Sequence, residues 1–230
     1  MPGPPEPGPD DAPPPEPGPG PGPDDAPPPG WRPASVAEPR LAAAVRAGPA
    51  LRVLTGGQTG VDLTAALAAL AAGLPAHLVC PRGLRTEDGP LSPLWRERLR
   101  GARIDELGSA EFTGRTWTCV DLADAVILID PAGGDGCRET ARAARNLGRP
   151  LLDLSGQVLR PGQASPAGAG PAGPLVTDWL QRTSPRILML AGCRGSLLDG
   201  AGLRPAVTAL VEVLIGAARR WRDDSGGRPA

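Results

Sequence analysis

Leu51-Arg52-Val53-Leu54-Thr55-Gly56-Gly57-Gln58-Thr59-Gly60-Val61-Asp62 decides the fold, because it runs from a short apolar segment through three glycines into a helix. Leu51 to Leu54 has the length and apolarity of a buried parallel strand. From Leu63 to Ala72 the chain is rich in Leu and Ala and free of Gly and Pro, so it propagates as a helix, and Gly73 stands where a helix stop is expected. The three glycines permit backbone conformations and close approaches that a Cβ forbids. A loop of that kind ahead of a helix turns several N–H groups and the positive end of the helix dipole toward one spot, which suits a phosphate or another anion. Gly56, Gly57, Gln58, Thr59, Gly60 and Asp62 are therefore candidate ligand residues. The loop is not a dinucleotide fingerprint, and it is not a P-loop, since the chain has no lysine to complete one. Thr59 and Asp62 also have the spacing of a capping box, which is the purely structural reading of the same residues.

The same device recurs downstream. Ala76 to Cys80 reads as a second strand that Pro81 ends, followed by a charged loop from Cys80 to Pro90. Loops at the carboxyl ends of parallel strands carry ligand contacts, so Arg82, Gly83, Glu87 and Asp88 join the candidates; a solvated turn with weak Arg–Glu pairs is the bland alternative. Trp95 to Arg100 predicts a short helix or loop, Ile104 to Leu107 a brief extended piece, and Thr116 to Ala125 a rough helix. Val126 to Asp130 is β-branched and apolar on both faces, which predicts a central strand of a parallel sheet. Pro131 to Thr140 then repeats strand, glycine-rich turn and helix, with Gly133, Gly134 and Gly136 as candidates, a helix from about Cys137 to Leu147, and Gly148 as its stop. Further strands are expected at Leu151 to Leu154 and Arg186 to Leu190, and a helix at Leu175 to Thr183 with Trp179 inward. A third glycine-bearing turn, Ala191 to Ser196, offers Arg194, whose guanidinium can meet an anion bidentately, and Ser196. Pro205 opens a last helix with Val207, Leu210, Val211 and Leu214 on one face. This alternation predicts an α/β fold, a Rossmann-like mostly parallel sheet with helices on both faces, and a ligand in the crevice between the glycine loops.

The flanks carry a different composition. Residues 1–40 are dominated by Pro and Gly and repeat Gly8-Pro9-Asp10-Asp11-Ala12-Pro13-Pro14-Pro15 at Gly22 to Pro29, so they are expected to be a disordered tail. The folded domain is expected at 51–216, with a short helical turn at Leu41 to Ala47 before it, a flexible insertion at 155–174 and a disordered tail at 217–230. The N-terminus has no basic stretch followed by an apolar one, and no run is long enough to span a membrane, so no signal peptide or membrane partner is expected. Net charge is −1 and all 24 basic residues are Arg, so no global field steers the chain to nucleic acid. Cys80, Cys119, Cys137 and Cys193 are widely spaced without a C-x-x-C pair, which fits a reducing, cytoplasmic setting and predicts no zinc module. His77, the only histidine, lies mid-strand and reads as a packed residue.

Gly56-Gly57-Gln58-Thr59-Gly60-Val61-Asp62, then Cys80-Pro81-Arg82-Gly83 with Glu87-Asp88-Gly89-Pro90, then Thr116-Trp117 with Asp124, resemble the bacterial family named "putative molybdenum carrier", the circularly permuted YpsA-type branch of the SLOG superfamily. The resemblance runs from about Leu51 to Leu214, outside the 155–174 insertion. It implies a Rossmann-like, homo-oligomeric domain that binds a small molecule, either a nucleotide or a pterin phosphate such as molybdenum cofactor, at the glycine loops. Relatives in the superfamily include the lysine-decarboxylase-like phosphoribohydrolases, which release a base from a nucleoside monophosphate. Their P-G-G-x-G-T-x-x-E signature is echoed by Gly133 to Cys137, but Cys137 replaces the Thr and Thr140 stands where the Glu belongs. Leu63 follows Asp62 where the family often has Arg, and the last loop reads Ala-Gly-Cys-Arg-Gly-Ser where relatives tend to read Ala-Gly-Pro-Arg-Glu-Ser.

The leading expectation is a non-enzymatic carrier in which the glycine loops hold a phosphate, Arg82 and Arg194 add charge, and Asp62 or Asp88 contacts a ribose or pterin edge. The alternative is an N-glycosidic hydrolase acting on a nucleoside monophosphate, with Glu139 or Glu87 as the catalytic carboxylate. A third reading is a metal or oxyanion site rimmed by Cys80, Cys137 and Cys193, set against the simpler account of small buried apolar cysteines.

Overall fold

The computed structural model describes residues 26–48, 51–157 and 172–225. The first proline repeat, the second as far as residue 25, the greater part of the expected insertion and the last five residues lie outside the described residues. In chain order, α1 (Ala34–Ala37) and α2 (Pro39–Arg46) lead into β1 (Arg52–Thr55), α3 (Val61–Ala71), β2 (Ala76–Cys80) and a small hairpin of β3 (Arg85–Thr86) and β4 (Gly89–Pro90). There follow α4 (Pro93–Arg98), β5 (Arg103–Glu106), α5 (Phe112–Leu122), β6 (Ala125–Ile129), α6 (Asp135–Asn146) and β7 (Leu151–Asp153). The chain closes with α7 (Ala172–Thr183), β8 (Ile187–Gly192), α8 (Gly195–Gly200) and α9 (Arg204–Asp224).

Six strands form one sheet in the order β5-β2-β1-β8-β6-β7, and every neighbouring pair is parallel. All residues of β2 and β6 are buried, so both faces of the sheet are covered, as the unbroken apolar run of β6 and that of β2, apolar but for His77, require. One group of helices joins α3, α7 and α9, and another joins α1, α2, α5 and α6. The chain starts with β1, moves outward through β2 to β5, crosses to β6 and β7, and last inserts β8 between β1 and β6. That reversal sets the three glycine-bearing loops, which follow β1, β8 and β6, side by side at the carboxyl edge of the sheet. Such a switch point is where doubly wound sheets open a crevice.

Two boundaries differ from the sequence reading. Residues 34–46, assigned to the tail and a single turn, form two helices whose Ala34, Leu41, Ala42 and Val45 are buried. Trp31 packs against Trp117 with the rings tilted at 56° and their centroids 5.4 Å apart, and the Ala34 N–H donates to Asp121 Oδ2 at 2.8 Å, so this segment closes over α5. The apolar residues there are mostly alanines and Pro39 interrupts them, so the segment is too short and too weakly apolar to announce a packed element, although Leu41, Ala42 and Val45 fall on one helix face. At the other end α9 runs on to Asp224 instead of fraying at residue 217, with Ala217 and Ala218 buried and Arg219 paired to Asp223 one turn later. Among the described residues no helix is long and apolar enough to cross a membrane.

Candidate functional site

The first glycine loop folds onto the protein itself. Gly60 has φ +89°, and a Cβ there would stand 2.3 Å from the Cys193 carbonyl oxygen, so only glycine lets this loop lie against the end of β8. A Cβ on Gly57 would meet Cys80 Sγ at 2.4 Å, and one on Gly56 would overlap the Arg115 guanidinium. Two of the loop's amides are also taken. Asp62, in the first turn of α3, accepts the Gln58 N–H at 3.1 Å and a backbone bond from Gly56. Its carboxylate therefore sits in the concavity that suits an anion. Burial pushes the Asp62 carboxyl above the ordinary carboxylate range, and Arg115 and the two amides pull it back only in part. Thr59 does not cap α3; its hydroxyl turns instead to Glu87.

Glu87 clamps the second candidate loop to the third. It sits between β3 and β4, accepts the Ser196 N–H at 3.0 Å and the hydroxyls of Ser196 and Thr59, and has Arg194 Nε 3.8 Å away. Burial pushes the Glu87 carboxyl up, but the Ser196 and Thr59 hydrogen bonds outweigh it and hold it below its usual range. The Glu87 N–H in turn donates to Gln58 Oε1 at 2.9 Å. Ser196 is thus engaged within the protein, while Arg82, Gly83 and Asp88 lie exposed on the loop, away from the cavity described below.

The second glycine loop is the open one. Gly133 carries φ +73° and is exposed, and a Cβ on Gly136 would meet nothing within 4 Å. Behind Gly134 lie Asp130, Cys137 and Cys193, whose ligand-type atoms all fall within 4.8 Å of one another. Cys193 Sγ donates to Asp130 Oδ1 at 2.8 Å, and the same oxygen accepts the Gly134 N–H at 2.9 Å. The hydrogen bond to Cys193, burial and the Asp130 carboxylate all push the Cys137 thiol up. Cys80 is not part of this cluster: it packs under Gly57, where burial pushes its thiol up to about 12. Glu139 reaches the same region, with Oε1 accepting from Trp117 Nε1 and from Arg142 Nη2 at 2.6 Å.

These loops enclose a cavity of about 430 Å³, within the range of small-molecule sites. Of the sequence candidates, Gln58, Asp62, Glu87, Gly134, Gly136, Glu139 and Arg194 line it. Sequence reasoning missed Arg115, which also lines it from α5. Arg115 is 7 % exposed, stands 3.4 Å from Asp62, and its Nε–H finds no hydrogen-bond acceptor. Phe112, Thr113 and Thr116 on the same helix complete that wall, and Met189 and Leu197 supply apolar surface. Phe112, Arg115 and Thr116 stand at i, i+3 and i+4, one face of a helix, which is the signal that could have found them.

Among solved structures the chain is similar to the Putative molybdenum carrier protein from Syntrophus aciditrophicus SB, determined at 1.45 Å. The two are 21% identical, with a TM-score of 0.59 over 72% of this chain and 95% of that one, a likeness of fold. No curated protein matches the chain. Residues 53–214, from β1 to α9 and including every loop that lines the cavity, match as a unit, and the chain belongs to the circularly permutated YpsA SLOG family.

Proposed function

We propose that this protein binds a small anionic ligand, a pterin phosphate of the molybdenum-cofactor kind or a nucleotide, in the cavity at the carboxyl edge of the sheet, and that it serves as a carrier. The observation that supports this reading most is Arg115: a nearly buried guanidinium lines the cavity with an Nε–H that no group among the described residues accepts. An unmatched buried donor is costly unless something fills it. The amino end of α6 faces the same space through Gly134 and Gly136, and Arg194 adds a second cation. Phe112, Met189 and Leu197 suit a flat ring. In this reading the phosphate meets Arg115 and the second glycine loop, because Asp62 already occupies the Gly56 and Gln58 amides of the first.

Glu87 and Glu139, the two carboxylates of the hydrolase reading, both line the cavity, but Glu87 is held by Ser196 and Thr59, which leaves Glu139 beside Gly136. Trp117 and Arg142 both donate to its Oε1, an arrangement that favours a fixed acceptor over a mobile base. Native mass spectrometry of the full chain as purified, followed by a thermal-shift panel of nucleotides and pterin phosphates, tests the proposal. We expect one compound to stabilise the protein and Arg194→Gln to weaken that stabilisation. No retained compound and no shift across the panel would refute ligand binding, and release of free base from a nucleoside monophosphate would move the assignment to a hydrolase.

A further inference from the structure

We propose that Asp130, Cys137 and Cys193 form a binding site for a soft or borderline divalent cation of the zinc type, with a coordination position left open toward the cavity. The three residues come from three separate pieces of chain: Asp130 directly follows β6, Cys137 stands in the first turn of α6, and Cys193 directly follows β8. β6 and β8 are hydrogen-bonded neighbours, with Ile129 opposite Gly192, so the parallel sheet brings Asp130 and Cys193 together at one edge. The three ligand-type atoms then fall within 4.8 Å of one another.

The surroundings fit a metal better than a packed pair of thiols. Asp130 Oδ1 is fixed by the Gly134 N–H at 2.9 Å, which orients the carboxylate, and the Asp130 backbone N–H donates to Ser155 Oγ at 2.7 Å, which anchors the main chain behind it. Metal ligands commonly carry such outer hydrogen bonds. A Cβ on Gly134 would come to 3.6 Å from Cys137 Sγ and 3.8 Å from Asp130 Oδ1, so glycine keeps the space beside both ligand atoms clear. Cys137 and Cys193 line the cavity, which gives an ion its path in and a ligand atom or water access to the fourth position. Two sulfurs with one carboxylate select zinc-like ions over magnesium or calcium.

Loading is a proton-for-metal exchange. Two thiol protons leave to solvent, the S–H···O bond from Cys193 to Asp130 is lost, and two Zn–S bonds and one Zn–O bond form, with no change of oxidation state. The Cys193 Sγ to Asp130 Oδ1 distance is now 2.8 Å. Tetrahedral zinc bonds of about 2.3 Å to sulfur and about 2.0 Å to oxygen set those atoms about 3.5 Å apart, so binding spreads the pair slightly. The site stands independently of the organic ligand proposed above: the cation can bind whether or not a pterin or nucleotide does.

The test uses the full chain, reduced and stripped of metal, titrated with zinc by calorimetry and with cobalt(II) by absorption. We expect one ion per chain, a sulfur-to-cobalt charge-transfer band, and loss of both in the Cys137→Ala/Cys193→Ala double variant, while Cys80→Ala and Cys119→Ala keep them. Asp130→Asn should weaken binding by about tenfold or more. Alkylation mapped by mass spectrometry needs no variant: zinc should protect Cys137 and Cys193 selectively. A charge-transfer band that survives in the double variant, equal alkylation of all four cysteines with and without zinc, or a reduced protein that takes no ion would each overturn the site.

Discussion

The Glu87 carboxylate accepts the backbone N–H of Ser196 at 3.0 Å, joining the β3–β4 hairpin to the start of α8 across 109 positions of sequence. Because Thr59 and the Ser196 hydroxyl donate to the same carboxylate, one side chain ties together the loops after β1, β2 and β8. Replacing Glu87 with Ala should destabilise the fold by about 2 kcal/mol at neutral pH, the scale of hydrogen bonds to a charged group. The effect has a pH signature. Glu87 is held below its ordinary value of 4.5, so the unfolded chain takes up the proton first as the solution is acidified. Its contribution is full above about pH 4.5 and fades as pH falls through the folded value. Urea unfolding from about pH 6 down to about pH 3 should therefore show the gap between wild type and Glu87→Gln narrowing. A gap that stays constant would mean the carboxylate's charge contributes nothing.

The glycines of the two main loops should respond unequally to the same substitution. At Gly60 an added methyl group meets backbone 2.3 Å away and the residue keeps φ +89°, so Gly60→Ala should cost about 3 kcal/mol or more. Gly133 has φ +73° but open space around it, so Gly133→Ala should cost only about 1 to 2 kcal/mol, the backbone strain alone. Chemical denaturation of the two variants side by side measures this. Equal losses would show that the close approach of the first loop to β8 is not what demands glycine at position 60.

Those glycines also mark where the sequence was legible and where it stopped. Val126 to Ile129 and Ala76 to Cys80 announce buried parallel strands because both faces must be apolar, and that is a local property. Gly57 and Gly60 announce a special backbone, but what makes it special is Cys80 Sγ and the Cys193 carbonyl, atoms from other strands. Strand order decides that, and β8 arriving last between β1 and β6 is not written in any one segment. The anion cradle expected at Gly56 to Gly60 holds Asp62 for the same reason: a capping-box spacing and a ligand loop spell alike, and only the geometry shows whose carboxylate is bound. Arg115 was missed because an Arg in a helix is usually solvated; its place on one face with Phe112 and Thr116 is local, but that this face is buried beneath Gly56 is decided by strand order.

Arg115 and Asp62 form a buried pair at 3.4 Å, with both side chains less than a tenth exposed. Breaking it from one side strands the other charge, so Arg115→Met should cost about 3 to 5 kcal/mol at neutral pH. Adding Asp62→Asn removes the stranded charge, and the double variant should recover part of that loss. Asp62 already sits above the ordinary carboxylate range, and losing Arg115 raises it further. The folded variant then binds a proton more readily than its unfolded chain, so its stability deficit is greatest at high pH and shrinks on acidification from about pH 7 to about pH 5. A double variant no more stable than Arg115→Met would show that the guanidinium acts through packing and not through Asp62.

His77 gives the opposite pH behaviour at the β5 edge of the sheet. Its Nε2 lies 2.7 Å from Asp105 Oδ2, pairing β2 to β5 through side chains as well as backbone. Burial pulls His77 below its ordinary 6.5, and the Asp105 bond and charge offset this only in part, with Arg103 and Arg52 opposing them. A histidine with a depressed folded value is protonated first in the unfolded chain, so its contribution is full above about pH 6.5 and is lost as pH falls below that. Wild-type stability should therefore decline between about pH 7.5 and about pH 5.5, and His77→Asn should decline less over the same window. Hydrogen exchange locates the effect: the protection factors of the Arg103 to Glu106 amides, taken relative to the intrinsic rate at each pH, should fall at the acid end in wild type, because β5 is an edge strand held on one side only. Parallel pH profiles for the two proteins would rule out His77 as the titrating group.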